Sequence, residues 1–190
     1  MTFGNRPIGI SGYGPGRRIS ALGCDVRGGV LGKDKKRELS AQHVAFAKSR
    51  MNLSKFSMLV GFEVERLYEG GAVLSVKVEE HHRQIHNVVH GGVIAALADT
   101  AAAIAAYTVS PEGAELATIE LKINYLLPIA EGKVEAEGKV LRTGRNFIVV
   151  ECDVRNAQGE LAAKALMTFG AAMLNTSGLN TTGPGAIGRS

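Results

Sequence analysis

The stretch His90-Gly91-Gly92-Val93-Ile94-Ala95-Ala96-Leu97-Ala98-Asp99-Thr100 joins a glycine-rich turn to an almost wholly apolar helix that carries one carboxylate. Polar side chains nearly vanish from Gly91 to Val109, so the helix is apolar all round and is expected to be buried on every side. A carboxylate buried there is costly unless it is paired, hydrogen-bonded or facing a wet pocket. Asp99 is therefore either a satisfied core aspartate or a reactive carboxylate in a cleft.

Strand patterns flank this helix. Upstream, Phe62–Leu67 and Ala72–Val78 are joined across Glu69-Gly70-Gly71, where paired glycines suit a hairpin, and Leu74, Val76 and Val78 share one face. Downstream, Ala117, Ile119, Leu121, Ile123 and Tyr125 alternate with Thr118, Glu120, Lys122 and Asn124, and Pro128 ends the strand. On that alternation Thr118 points away from the helix. Val134, Ala136, Gly138 and Val140 alternate with Lys133, Glu135, Glu137 and Lys139, and after a turn at Thr143-Gly144 the strands Phe147–Val154 and Leu161–Met173 complete the set.

The order β-β-α-β-β-β-β predicts an α+β fold: a long curved antiparallel sheet wrapped around a central apolar helix, whose many alanines let the sheet approach closely. An additional N-terminal helix is expected from Glu38 to about Leu53, because Val44, Ala47 and Met51 follow helical spacing. It is read as a lid whose Val44, Phe46, Met51 and Leu53 pack over the sheet's open end. Met51, Leu53, Phe56 and Met58 would set the depth of a pocket beneath it.

Composition bounds the rest. The 190 residues, 45% hydrophobic and 21% charged, suit one domain with extensions. Residues 1–37 hold eight Lys/Arg against Asp25 and Asp34, whereas the remainder is mildly acidic. That basic, glycine-rich head has no aromatic-basic repeat to stack on bases, so no nucleic-acid partner is expected. It also lacks the continuous apolar core of a signal peptide. The apolar run 91–109 has about the length of a membrane span, but it is Ala/Gly-dominated, with Asp99 at its middle and no aromatic belt, so no membrane partner is expected either.

The only cysteines, Cys24 and Cys152, offer no disulfide framework, which favours a reducing, cytoplasmic setting; Cys152 reads as a small core residue. His81, His82 and His86 lie in a charged, exposed-looking stretch without ligand spacing, so no metal is expected.

The pattern Gln84-x5-His90-Gly91-Gly92-x6-Asp99-Thr100, with the later Leu126-Leu127-Pro128, resembles the hotdog-fold acyl-CoA thioesterases of the phenylacetate-degradation (PaaI-like) type over roughly residues 58–173. Hotdog dehydratases place their histidine and acid in a proline-rich context that is absent here. The aperiodic, glycine-rich ends mark residues 1–37 as a flexible N-terminal extension and 175–190 as a flexible tail, helical spacing marks 38–57 as the helix and connector, and the resemblance implies 58–174 as the hotdog domain.

The resemblance further implies that the Gly91 N–H polarises the thioester carbonyl and that Asp99 acts as nucleophile or as general base on water. Gln84 would stand near the carbonyl or the water, His90 would orient the loop, and Thr118 would hold the water. Relatives commonly have glycine three residues before the motif histidine. This chain has Asn87 there, and asparagine tolerates a left-handed backbone better than most residues. Asn87, Gly92 and Thr100 are expected to line the mouth of the site. Arg142 and Arg145 either meet the phosphates of coenzyme A or are solvated turn residues. Coenzyme A belongs to the substrate, and no separate cofactor is implied.

The chemistry is coherent without the family. A thioester transition state places negative charge on the carbonyl oxygen, and a helix N-terminus offers unsatisfied N–H groups. A carboxylate stripped of water can act as base or nucleophile. Asp99 lies about 12 Å along the helix from Gly91, at about 1.5 Å per residue, too far for both to touch one carbonyl. A shared site therefore requires a homodimer, and the resemblance also allows a homotetramer. Two other readings stay open: a non-catalytic acyl-CoA-binding module, which would be expected to lack the acid, and an enoyl-CoA hydratase, which would need a histidine aimed at the reacting carbon.

Overall fold

A computed structural model describes residues 39–172. Helix α1 (Ala41–Leu53) starts where the Ser40 hydroxyl accepts from the His43 N–H at 3.2 Å, and Ser54 caps the short helix α2 (Lys55–Val60) in the same way. Strands β1 (Glu63–Tyr68) and β2 (Gly71–Lys77) form the expected hairpin, turning at Glu69-Gly70 with Gly70 at φ +74°. Helix α3 (Gly91–Tyr107) precedes β3 (Glu115–Tyr125), β4 (Lys133–Thr143), β5 (Phe147–Arg155) and β6 (Leu161–Ala172). Glu38, where a helix start was expected, and Met173, where a strand end was expected, lie outside the described residues, as do Cys24 and the regions 1–37 and 175–190.

The six strands form one antiparallel sheet in the order β1-β2-β4-β5-β6-β3. The chain leaves β2 near one edge and re-enters at β3 on the opposite edge. In between, α3 crosses one face of the sheet and packs against β2, β3, β4, β5 and β6, most extensively against β4. Leu97, Ala98, Ala101, Ala102 and Ala105 are buried against Leu74, Ala136, Val150 and Cys152. The closest approach falls at Gly138, where an added Cβ would stand 2.7 Å from the Ala101 carbonyl oxygen and 2.9 Å from the Ala102 Cα.

Three expectations change. The alternation proposed for β3 breaks at a β-bulge between Thr118 and Glu120 that leaves Ile119 unpaired and 59% exposed. Leu121 and Ile123 still pack on the core, but residues before the bulge reverse their faces. Second, α3 is not covered on every side: Val93, Ala95, Ala96, Asp99, Thr100 and Ala103 stay only partly buried, and their three- and four-residue spacing makes them one stripe. Third, α1 packs on α3 and β1 through Phe46, Ala47 and Met51, whereas Leu53, Phe56 and Met58 are exposed, Leu53 by 72%. No described helix is long and apolar enough to cross a membrane.

Because Gly138 meets backbone rather than a side chain that can swing away, Gly138→Ala should cost about 1–3 kcal/mol or more. Thermal melts should show a clearly lower midpoint for this variant; an unchanged midpoint would place the tightest helix–sheet contact elsewhere.

Candidate active site

The N-terminus of α3 is built by the loop before it. His82, expected to be exposed, is 2% exposed and pins this loop: its Nδ1 accepts from the Glu79 N–H and its Nε2–H donates to the Val60 carbonyl, both at 2.9 Å. Arg83 and Val89 pair across a turn whose Asn87 N–H donates to the Gln84 carbonyl at 2.9 Å. Asn87 takes φ +62°, the left-handed backbone that glycine adopts freely and asparagine tolerates. Arg83 Nη1 donates to the carbonyls of Asn87 and Ala130, tying the turn to the segment after β3.

His90 is the N-cap of α3. Its Nδ1 accepts from the Gly92 N–H at 2.9 Å, so the neutral ring carries its proton on Nε2. The Val93 and Ile94 N–H groups turn back to the His90 carbonyl. Among the described residues the Gly91 N–H has no hydrogen-bond partner, which leaves one first-turn donor unsatisfied. Gly91, Gln84, Tyr125, Leu127 and Ile129 line a cleft of about 340 Å³. Sequence reasoning placed Tyr125 on a strand and gave it no role here. Its hydroxyl donates to the Gly91 carbonyl at 2.9 Å.

Asp99 opens on a different cleft, of about 310 Å³, between α3 and the α1–α2 corner, where Thr100, Ala103 and Ile104 face Arg50, Met51, Leu53 and Ser57. Thr118 was expected to point away from the helix. The bulge at Ile119 turns it toward α3, where it stays exposed and its Oγ1 donates to Asp99 Oδ1 at 2.9 Å within the same chain. Burial pushes the Asp99 carboxyl above the usual carboxylate range, and the Thr118 hydrogen bond opposes that rise. The Thr100 hydroxyl is spent on the Ala96 carbonyl at 2.7 Å.

Arg50, which no sequence pattern marked, borders this cleft. It pairs with Glu115, reaches the Tyr107 hydroxyl at 3.4 Å and stacks 5.1 Å from that ring's centroid.

One chain thus joins Gln84 with Gly91, and Asp99 with Thr100 and Thr118, but holds the two groups in separate clefts. Gly92 is exposed beside His90 at the helix start. Arg142 and Arg145 lie exposed at the β4–β5 hairpin and line neither cleft. Cys152 is buried in the core, where desolvation pushes its thiol far up and leaves it inert.

Comparison with known proteins agrees with this architecture. The thioesterase superfamily model matches residues 86–163, from the turn through α3 and into β6. The protein SSO2140 of Saccharolobus solfataricus, whose name proposes an esterase, is 40% identical over 104 residues, 55% of this chain and 74% of that protein. The chain belongs to the thioesterase superfamily. Among solved structures, thioesterase HI1161 of Haemophilus influenzae superposes with a TM-score of 0.63 at 26% identity, covering 67% of this chain and 90% of that one. PaaI of the Escherichia coli phenylacetic acid degradation operon shares the fold, with a TM-score of 0.66 at 24% identity over 71% of this chain and 96% of its own. This thioesterase is a PaaI-like hotdog protein and a hydrolase of thioesters.

Since the Thr118 hydroxyl favours the ionised carboxylate, Thr118→Val should raise the Asp99 pKa further. The acid limb of the pH–rate profile should then move to higher pH, while activity well above it recovers; an unmoved limb would detach Thr118 from the titration of Asp99.

Proposed function

We propose that the thioesterase hydrolyses aryl- or short/medium-chain acyl-CoA at a site assembled from two chains, with Gly91 of one subunit facing Asp99 of another. The observation that carries this is the separation of an unpartnered N–H and a desolvated carboxylate into different clefts of one chain. Two further features support a second copy as the missing half. The stripe of α3 that bears Asp99 is only partly covered, and β3 is an edge strand with Ile119, Tyr125, Leu126 and Leu127 exposed beside it. A homodimer, or two such dimers as a homotetramer, would cover both.

In this scheme the thioester oxygen accepts from the Gly91 N–H, which stabilises the negative charge that develops there. Asp99 takes a proton from water as the water oxygen bonds to the carbonyl carbon; alternatively its carboxylate attacks first and water resolves the anhydride. The carbon–sulfur bond breaks, the thiolate leaves and takes up a proton, and the carboxylic acid is released. Thr118 steadies Asp99, Gln84 stands beside the carbonyl or the water, and His90 fixes the loop. Asn87, Gly92 and Thr100 shape the mouth. Arg142 and Arg145, without ion pairs among the described residues, are free to meet coenzyme A phosphates. With Nδ1 accepting from the Gly92 N–H, the Nε2 of neutral His90 carries the proton and is not available as the base for the water that an enoyl-CoA hydratase adds.

Asp99→Asn should lower kcat by at least about 100-fold in a thiol-release assay over a panel of acyl-CoAs. It should melt no lower than the wild type at neutral pH. The folded pKa is raised, so the ionised carboxylate costs stability above it, and this difference should vanish below both pKa values. A folded variant with near-normal turnover would make Asp99 structural.

Gly91→Pro removes the N–H at a position where proline suits a helix start, and Gly91→Ala adds a Cβ while keeping the donor. The proline variant should be slower than the alanine variant by about 100-fold. Mixing Asp99→Asn with Gly91→Pro subunits should recover up to about a quarter of wild-type activity, because half the random dimers carry one intact site. No recovery after confirmed exchange would place the site within one chain.

A further inference from the structure

Gly91 and Gly92 are joined by a peptide group that two side chains hold from opposite ends. The Tyr125 hydroxyl donates to its carbonyl oxygen, and its N–H donates to His90 Nδ1, each at 2.9 Å. The glycines suit this arrangement. A Cβ on residue 92 would stand 2.9 Å from His90 Nδ1, and one on residue 91 would stand 3.3 Å from the Tyr125 ring and hydroxyl. Without those side chains, a Gly-Gly peptide at a helix start has unusual freedom to rock, since neither residue has a Cβ to restrict it.

Tyr125 is itself held by the sheet. It pairs with Ala163 of β6, and the N–H groups of Leu126 and Leu127 both reach the Ala162 carbonyl, at 2.8 and 3.2 Å. The sheet edge therefore fixes the peptide that adjoins the Gly91 N–H. Hydrogen bonds weaken steeply as donor and acceptor misalign, and a donor held in place before the reaction needs no reorganisation when charge develops.

We propose that Tyr125 is a positioning residue for the reaction, fixing the Gly91–Gly92 peptide together with His90 so that the neighbouring Gly91 N–H is aimed at the thioester oxygen. This rests on the role given above to Gly91. Tyr125 is half-exposed and also lines the cleft around Gly91, so a wall-forming role would act on substrate affinity, whereas a positioning role acts on turnover.

Tyr125→Phe keeps the ring and deletes the donor. It should lower kcat about tenfold, the scale of one hydrogen bond, with KM within about twofold of the wild type. The Gly92 amide should exchange with solvent faster by nuclear magnetic resonance. In the Gly91→Pro background the same substitution should cost no further activity, because the donor it aims is already gone. Unchanged kcat, a raised KM alone, an equal loss in the proline background or unchanged Gly92 exchange would each overturn the positioning role. Gly91→Pro as active as Gly91→Ala would instead overturn the role of Gly91, and Tyr125 with it.

Discussion

The contact on which the rest of the structure depends is the one between the backbone of α3 and the face of β4 at Gly138. Only a residue without a side chain allows helix and sheet to meet there, and only a helix built largely of alanine can use the approach. With the helix lying this low, the sheet can bend around it, and the helix ends are delivered to opposite ends of the sheet. The N-terminus arrives at the loop pinned by His82, and the C-terminus at the hairpin between β1 and β2, where the Thr108 hydroxyl accepts from the Gly70 N–H at 2.9 Å. Charged pairs on the outer face, such as Lys139 with Glu137 and Lys133 with Glu135, add little by comparison, because exposed ion pairs contribute about 0–1 kcal/mol.

Periodicity made most of this architecture legible. Val134, Ala136, Gly138 and Val140 turn inward, and the lysines and glutamates between them turn outward, as strict alternation requires. The same logic failed at β3 because a single unpaired residue, Ile119, reverses the faces on one side of it. No propensity marks that position. The Ile119 side chain lies over Gly170 of β6, where an added Cβ would stand 2.9 Å from it. The exposure expected for His82 failed for a related reason: its partners, the Glu79 N–H and the Val60 carbonyl, are backbone groups, and composition says nothing about them.

The candidate site was legible where chemistry is concentrated in a short motif and hidden where it is assembled across the chain. Gly91, His90 and Asp99 are marked by the glycine pair and by the lone acid in an apolar helix. Tyr125 and Arg50 carry no such mark. Tyr125 comes to Gly91 from 34 residues away, and Arg50 comes to Glu115 from 65. Both reach α3 through the ends of elements, where side-chain direction depends on how the sheet closes.

A partly uncovered α3 is poor packing for a lone chain, and Asp99 adds to the cost, since a desolvated carboxylate opposes folding wherever it is ionised. Covering the stripe with a second copy would gain apolar burial along Val93, Ala96 and Ala103, yet it would strip more water from Asp99 and raise its pKa further. Thr118 limits that rise because its hydroxyl bonds the ionised form more strongly than the neutral acid, and it sits on the strand at the sheet's edge, next to the surface that would be covered. The bulge at Ile119 thus has two effects. It brings Thr118 to the carboxylate, and it leaves Ile119 as an apolar group on the exposed edge, so one backbone irregularity sets both the hydrogen bonding of the acid and the apolar character of the edge.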